Sequence, residues 1–210
     1  MNLVLNNVGK RYRFDWIFRA INFEFKAGRK YAILGPNGSG KSTLMKVLSG
    51  HLTPSKGKIE FQKNGTKLLI DEVYKSISYA APYIDVIEEM TLQEAINFHL
   101  KFKPMVGNLK TNDIIELLGF SKSKNKEVRF FSSGMKQRLK LALAICSNSE
   151  VLLLDEPTTN LDQQGFDWYQ ELIRKYSDNR LVVVASNVEM DYHFCDEQLN
   201  ILDFKKKPAK

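Results

Sequence analysis

The run Gly35-Pro36-Asn37-Gly38-Ser39-Gly40-Lys41-Ser42 constrains this chain more than any other feature. It fits the pattern Gly-x-x-x-x-Gly-Lys-Ser/Thr and stands between an apolar run at 30–34 and a helix-like stretch that opens at Thr43. Glycines let successive backbone N–H groups curl around phosphate oxygens, and the start of the following helix adds its positive end. In such a loop Lys41 reaches the outer phosphates and the Ser42 hydroxyl faces Mg²⁺. The bland alternative is a glycine-rich turn that only joins a strand to a helix, and the order strand, loop, helix favours the phosphate site.

The rest of the chain supplies a frame for that loop. Short β-type runs recur at 3–8, 20–25, 30–34, 58–61, 76–80, 151–154, 181–185 and 199–202. Those at 30–34, 151–154 and 181–185 read as buried parallel strands, so the two strand-rich ends should pack into one α/β core. From about 91 to 146 the pattern is helical. Thr91-Leu92-Gln93-Glu94 reads as a capping box, the stretch 113–118 runs up to Gly119, and Met135, Leu139, Ala142, Leu143 and Cys146 share one helix face. The expected division is therefore a core of residues 1–82 and 148–210 around a helical subdomain of 83–147. At 210 residues, without an internal repeat, the chain carries one such unit.

Two further stretches can carry chemistry. The apolar run at 151–154 ends in Asp155-Glu156; in a phosphate-loop enzyme the first carboxylate contacts Mg²⁺ and the second polarises an attacking water. Two acids at a strand end can instead cap the next helix, but the upstream loop favours the catalytic reading. Pro157 then turns the chain and Asn160-Leu161-Asp162 follows. Phe131-Ser132-Ser133-Gly134-Met135-Lys136-Gln137-Arg138 precedes an amphipathic helix, either as an ordinary N-cap or as a helix start that binds a second molecule's phosphate.

Composition excludes more than it selects. No window approaches the roughly 18 apolar residues of a spanning helix, and the first residues resemble no signal peptide, so a cytosolic chain is expected. Cys146 and Cys195 lack Cys-x-x-Cys spacing and are expected as buried thiols in a reducing compartment. The net charge of +7 suits nucleic acid, an anionic lipid surface or a nucleotide alike. The lysine-rich stretch 205–210 reads as a solvated tail or a membrane-surface contact.

Taken in order, the P-loop at 35–42, the sequence at 131–135, Asp155-Glu156 and Asn160-Leu161-Asp162 resemble the ATP-binding cassette (ABC) family over essentially the whole chain. The resemblance implies a P-loop NTPase fold: α/β, with a mixed or parallel sheet, an N-terminal antiparallel β region and a helical insert. It implies an ATPase that uses ATP and Mg²⁺. Lys41 and Glu156 are its catalytic residues, Ser42 and Asp155 its metal ligands, and residues from Gly35 to Thr43 cradle the phosphates. It implies a head-to-tail pair, a homodimer in preference to a heterodimer, with each ATP between the P-loop of one subunit and Ser132 and Gly134 of the other, near Asp162. Tyr12 matches the aromatic that stacks on adenine, or is an interfacial tyrosine near a strand end. A separate membrane permease is implied as partner, with the cassette peripheral at the inner face of the cell membrane and a permease helix docking on 82–89, where Tyr83 and Ile84 are apolar. Ser-Gly-Met-Lys-Gln-Arg is similar to small exporter-type cassettes. A nucleic-acid-linked cassette is not expected, since no second cassette or heptad pattern appears.

The chain departs from the family pattern in three places. Ser133 and Met135 replace a glycine and a glutamine of the signature. Pro82 stands where the family has a glutamine, and a proline side chain binds no metal and orients no water. The strand at 181–185 leads to Asn187, where the family has a histidine; His193 lies six residues on, in a helix-like stretch. Glu156 favours an ATPase that drives a permease. Pro82 and Asn187 favour an assembly subunit that closes on ATP and hydrolyses it slowly.

Overall fold

The computed structural model describes residues 1–205, so the stretch 206–210 lies outside the described residues. In chain order the elements are β1 (Asn2–Tyr12), β2 (Asp15–Phe25), β3 (Lys30–Leu34), α1 (Lys41–Leu48), β4 (Lys56–Lys63), β5 (Thr66–Lys67), α2 (Val73–Ser76), β6 (Ile77–Ala80) and α3 (Leu92–Phe102). There follow α4 (Thr111–Leu118), α5 (Ser133–Ile145), β7 (Val151–Asp155), α6 (Gln163–Tyr176), β8 (Leu181–Ala185), α7 (Glu189–Tyr192) and β9 (Glu197–Asn200). They fall into two compact units. The first holds Met1–Tyr79, Glu150–Glu156 and the described residues from Asn179 on; the second holds Ala80–Ser149 and Pro157–Asp178.

The first unit contains two sheets. One is antiparallel, in the order β2-β1-β4-β5, and β1 buries Leu3, Leu5 and Val8 from its inward face. The other runs β6-β7-β8-β3-β9, and its pairs β7–β8, β8–β3 and β3–β9 are parallel. Every residue of β7 and β8 is buried, as the apolar runs 151–154 and 181–185 require of strands covered on both faces, and Asp155 at the end of β7 is buried with them. Burying each such Leu or Val contributes about 1.5–3 kcal/mol, so these strands hold their register firmly. Register places the site: Asp155 stands beside Ala185, which stands beside Ile33, so β3, β7 and β8 deliver Gly35, Glu156 and Asn187 to one edge of the sheet.

The expected strand at 199–202 is displaced. β9 ends at Asn200, whose side-chain Oδ1 accepts from the Leu202 N–H at 3.0 Å and turns the chain into the 3-10 segment Ile201–Phe204. Cys146 is buried and Cys195 partly so, and neither is in a disulfide; burial pushes the Cys195 thiol up to about 12.

The second unit is helical. Thr91 and Glu94 form the capping box of α3: the Glu94 N–H donates to Thr91 Oγ1 at 3.3 Å and the Thr91 N–H to Glu94 Oε2 at 2.8 Å. Gly119 closes α4 at φ 72. On α5 the expected face is joined by buried Leu141, Ala144 and Ile145, so the second half of this helix is buried nearly all round. The expected division gave all of 148–210 to the core, whereas α6 packs on α5 and belongs to the second unit. Its buried residues, Gly165, Tyr169, Leu172 and Ile173, form the apolar stripe responsible.

Candidate functional site

In the first unit a cleft of about 200 Å³ is lined by Ile17, the residues from Asn37 to Thr43 and Glu156. The loop reaches this shape because Gly35 and Gly40 adopt φ 146 and φ 108, and because a Cβ at Gly40 would lie 2.4 Å from Ile17 Cγ2. Ile17 is the contact that sequence reasoning missed; only the steric demand at Gly40 reveals it.

Lys41 is only 4% exposed. Its ammonium donates to the Gly35 carbonyl at 2.7 Å, the Pro36 carbonyl at 3.4 Å and Asn187 Oδ1 at 3.3 Å. Burial lowers its pKa, against the raising fields of Glu156 and Asp155. No carboxylate is within ion-pair distance of it among the described residues. A buried cation that rests on neutral oxygens is poised for an anion. Beside it the buried Ser39 hydroxyl has no hydrogen-bond partner, which the phosphate oxygens expected there would supply.

The Asn187 amide donates to Asn37 Oδ1 at 2.8 Å, so the side chain where the pattern has histidine lies against both the loop and Lys41. His193 caps the far end of α7, with its Nδ1 3.1 Å from the Met190 carbonyl. Asp155 is fully buried, and the Tyr79 hydroxyl points at its Oδ2 from 3.5 Å. Glu156 takes φ 45, a left-handed conformation costly for a residue with a Cβ, and is held there as its N–H donates to the Ala185 carbonyl at 2.8 Å. Tyr12 is half exposed at the end of β1, with the Lys10 ammonium 5.4 Å from its ring centre, and does not line the cleft.

The second unit has its own cleft of about 310 Å³, lined by residues from Ser132 to Met135, by Asn160, Leu161 and Asp162, and by Phe120 and Arg138. Ser132 caps α5, accepting from the Met135 N–H at 3.2 Å, and Asp162 caps α6, accepting from the Gly165 N–H at 2.8 Å. Gly134 must lack a side chain, since a Cβ there would come 2.9 Å from the Asn160 carbonyl. Arg138 was not singled out from sequence. Its guanidinium lies 4.7 Å from the Trp168 ring centre and 5.2 Å from that of Phe120, and Trp168 is itself fixed by donating to the Leu117 carbonyl at 2.8 Å. Burial lowers the Arg138 pKa and Asp162 opposes that shift.

Comparison with known proteins gives a consistent result. The sequence model of the ABC transporter family matches residues 18–159. The uncharacterized ABC transporter ATP-binding protein YcbN of Bacillus subtilis (strain 168) is 30% identical over 172 residues; the match covers 82% of this chain and 56% of that protein's length. The lantibiotic transport ATP-binding protein SrtF of Streptococcus pyogenes is 29% identical over 207 residues, which cover 96% of this chain and 84% of SrtF. A solved ATP-binding cassette, dimeric in a post-hydrolysis state with ADP and phosphate, is 24% identical with a TM-score of 0.81 over 95% of this chain and 94% of its own.

Proposed function

The chain belongs to the ABC transporter family, and on that premise we propose that it is the ATP-binding and ATP-hydrolysing subunit of a transporter, working as a dimer on a separate membrane permease. The observation that carries this reading is the buried Lys41 ammonium, held on carbonyls and the Asn187 amide beside the unpartnered Ser39 hydroxyl and the Asp155-Glu156 strand end.

In this reading Lys41 and the loop amides hold the β and γ phosphates, and Glu156 orients and polarises the attacking water. Ser42 and Asp155 would hold Mg²⁺; a hydroxyl and a buried carboxylate are the hard oxygen donors this ion takes. When bound, the ion neutralises charge on the phosphates. Ser132, Gly134 and Asp162 would meet the nucleotide of the second copy. Tyr12 would stack on the adenine.

In this reading the permease is a separate polypeptide and the cassette sits at the membrane's inner face; no helix among the described residues is long and apolar enough to cross a membrane. The segment 82–89, with Tyr83 and Ile87 exposed, would receive a permease helix. SrtF carries lantibiotic transport in its name, which favours a cassette of the same transport class.

Asn187 beside Lys41 favours a second reading, in which the pair closes on ATP and hydrolyses it slowly. Calorimetry on Lys41→Ala tests the site itself. The variant is expected to lose tight MgATP binding, and wild-type affinity would refute the phosphate-loop assignment. The rate of phosphate release then separates the two readings.

A further inference from the structure

The segment that follows β6 is held to α5 by two lysines one helical turn apart. The Lys136 ammonium donates to Glu88 Oε1 at 2.5 Å, and the Lys140 ammonium donates to the carbonyls of Pro82 at 3.1 Å and Ala81 at 3.4 Å. They grip the two ends of the loop 81–88. The backbone leading into the Ser132 cap is bound to the same segment, since the N–H groups of Arg129 and Val128 donate to the carbonyls of Glu88 and Met90, each at 2.9 Å.

Lys140 is costly as a packing residue. Burial lowers its pKa, with only the Asp85 charge to offset this and Lys136 adding to it. Its ammonium meets two main-chain carbonyls, and an apolar side chain of similar length would fill the space without that desolvation. What the cation adds is a hold on a backbone whose own side chain, Pro82, offers no polar atom. Two other side chains of α5 anchor it elsewhere: Gln137 Nε2 donates to the Pro157 carbonyl at 2.7 Å, and Arg138 stacks between Phe120 and Trp168.

We propose that Lys136 and Lys140 are positioning residues that lock the loop 81–88 to α5, so that a displacement of the loop carries Ser132 and Gly134 with it. The inference rests on the readings that Ser132 and Gly134 meet the nucleotide of a second copy and that 82–89 receives a permease helix, and it adds two lysine side chains to the backbone bonds of Val128 and Arg129 as the link between them.

Amide hydrogen exchange on the whole chain tests it, in a Glu156→Gln parent that prolongs the closed pair. The readout is the ratio of exchange rates without and with MgATP. In the parent, both 133–136 and 83–88 should gain protection. In Lys140→Met on that parent, 133–136 should keep its ratio while that of 83–88 falls about tenfold, the factor expected for hydrogen bonds to a charged group. Lys140→Arg should restore it, and Lys136→Gln should lower it at the Glu88 end. A merely structural role would change both rates alike and leave the ratio unmoved. An unchanged ratio at 83–88 in Lys140→Met overturns the inference and leaves the ATPase reading intact. Absence of ATP-dependent protection at 133–136 in the parent overturns the dimer reading instead, and the inference falls with it.

Discussion

Asn187 is the side chain at which this chain's chemistry is expected to depart from the family pattern. Its amide spans the cleft edge, donating to Asn37 Oδ1 at 2.8 Å and accepting from Lys41 Nζ at 3.3 Å. It offers a neutral hydrogen bond where a histidine would offer a charge-assisted one, about twice as strong. A histidinium there would face the Lys41 ammonium, so its charge becomes favourable only when phosphate negative charge fills the cleft and grows in the transition state. That is differential stabilisation, and about 1.4 kcal/mol of it corresponds to a tenfold rate. Asn187→His is therefore expected to raise kcat about tenfold with KM nearly constant, as steady-state phosphate release would measure. An unchanged or lower kcat in a folded, ATP-binding variant would show that the residue does not act on the transferring group. The position was legible because the strand before it is uniformly apolar and tolerates no slip. Its contact with Asn37 was not legible, since loop side chains meet only in three dimensions.

At the scale of elements, a partly buried histidine ties α3 to the segment just beyond α5. His99 Nε2 lies 2.8 Å from Ser147 Oγ, and that hydroxyl donates to the Leu143 carbonyl at 2.6 Å, so Nε2 carries the proton and donates. Burial, with a smaller push from Lys103, lowers the His99 pKa to about 4. The unfolded chain, with a histidine pKa near 6.5, binds the proton first as pH falls. The stability contributed by neutral His99 is thus complete above about pH 6.5 and is lost progressively toward pH 4, in total roughly 3 kcal/mol. Urea unfolding at about pH 7 and about pH 5 should show this loss in the wild type, and a smaller one in His99→Gln. An equal acid loss in both would remove His99 as its source. The helices themselves were largely readable, from the Thr91–Glu94 box and the Gly119 stop. α6 was readable in principle, because Asp162 is an N-cap and Gly165, Tyr169, Leu172 and Ile173 fall at helical spacing. Its packing on α5 was not, since an apolar stripe shows that a helix is covered and leaves open by what. The same limit hid Arg138: a basic residue on an amphipathic helix reads as solvated until Phe120 and Trp168 close on it.

At the scale of the whole molecule, each copy carries two unlike clefts. The P-loop cleft supplies a buried cation and an orphaned hydroxyl, and the Ser132 cleft supplies a helix start and Arg138 beside Asp162. A head-to-tail pair would bring each kind against the other twice, so two nucleotides would bind only where two chains meet, and association is linked to ATP by mass action. Hydrolysis would cut the bond between the β and γ phosphates, and departure of the freed phosphate would then release the pair. Glu156→Gln separates these events. The amide keeps the size of the carboxylate and loses its ability to accept a proton, which should lower hydrolysis by about 10²–10⁴-fold while every binding contact stays. With MgATP, sedimentation of this variant should move from the 24.2 kDa chain to a species of twice that mass, and ADP should not produce the shift. The wild type should show the dimer only transiently, as its own turnover dissolves it. A variant that hydrolyses ATP at the wild-type rate would show that Glu156 is not the base. One that is inactive, binds MgATP and stays at the mass of a single chain would show that the two clefts do not meet across a pair.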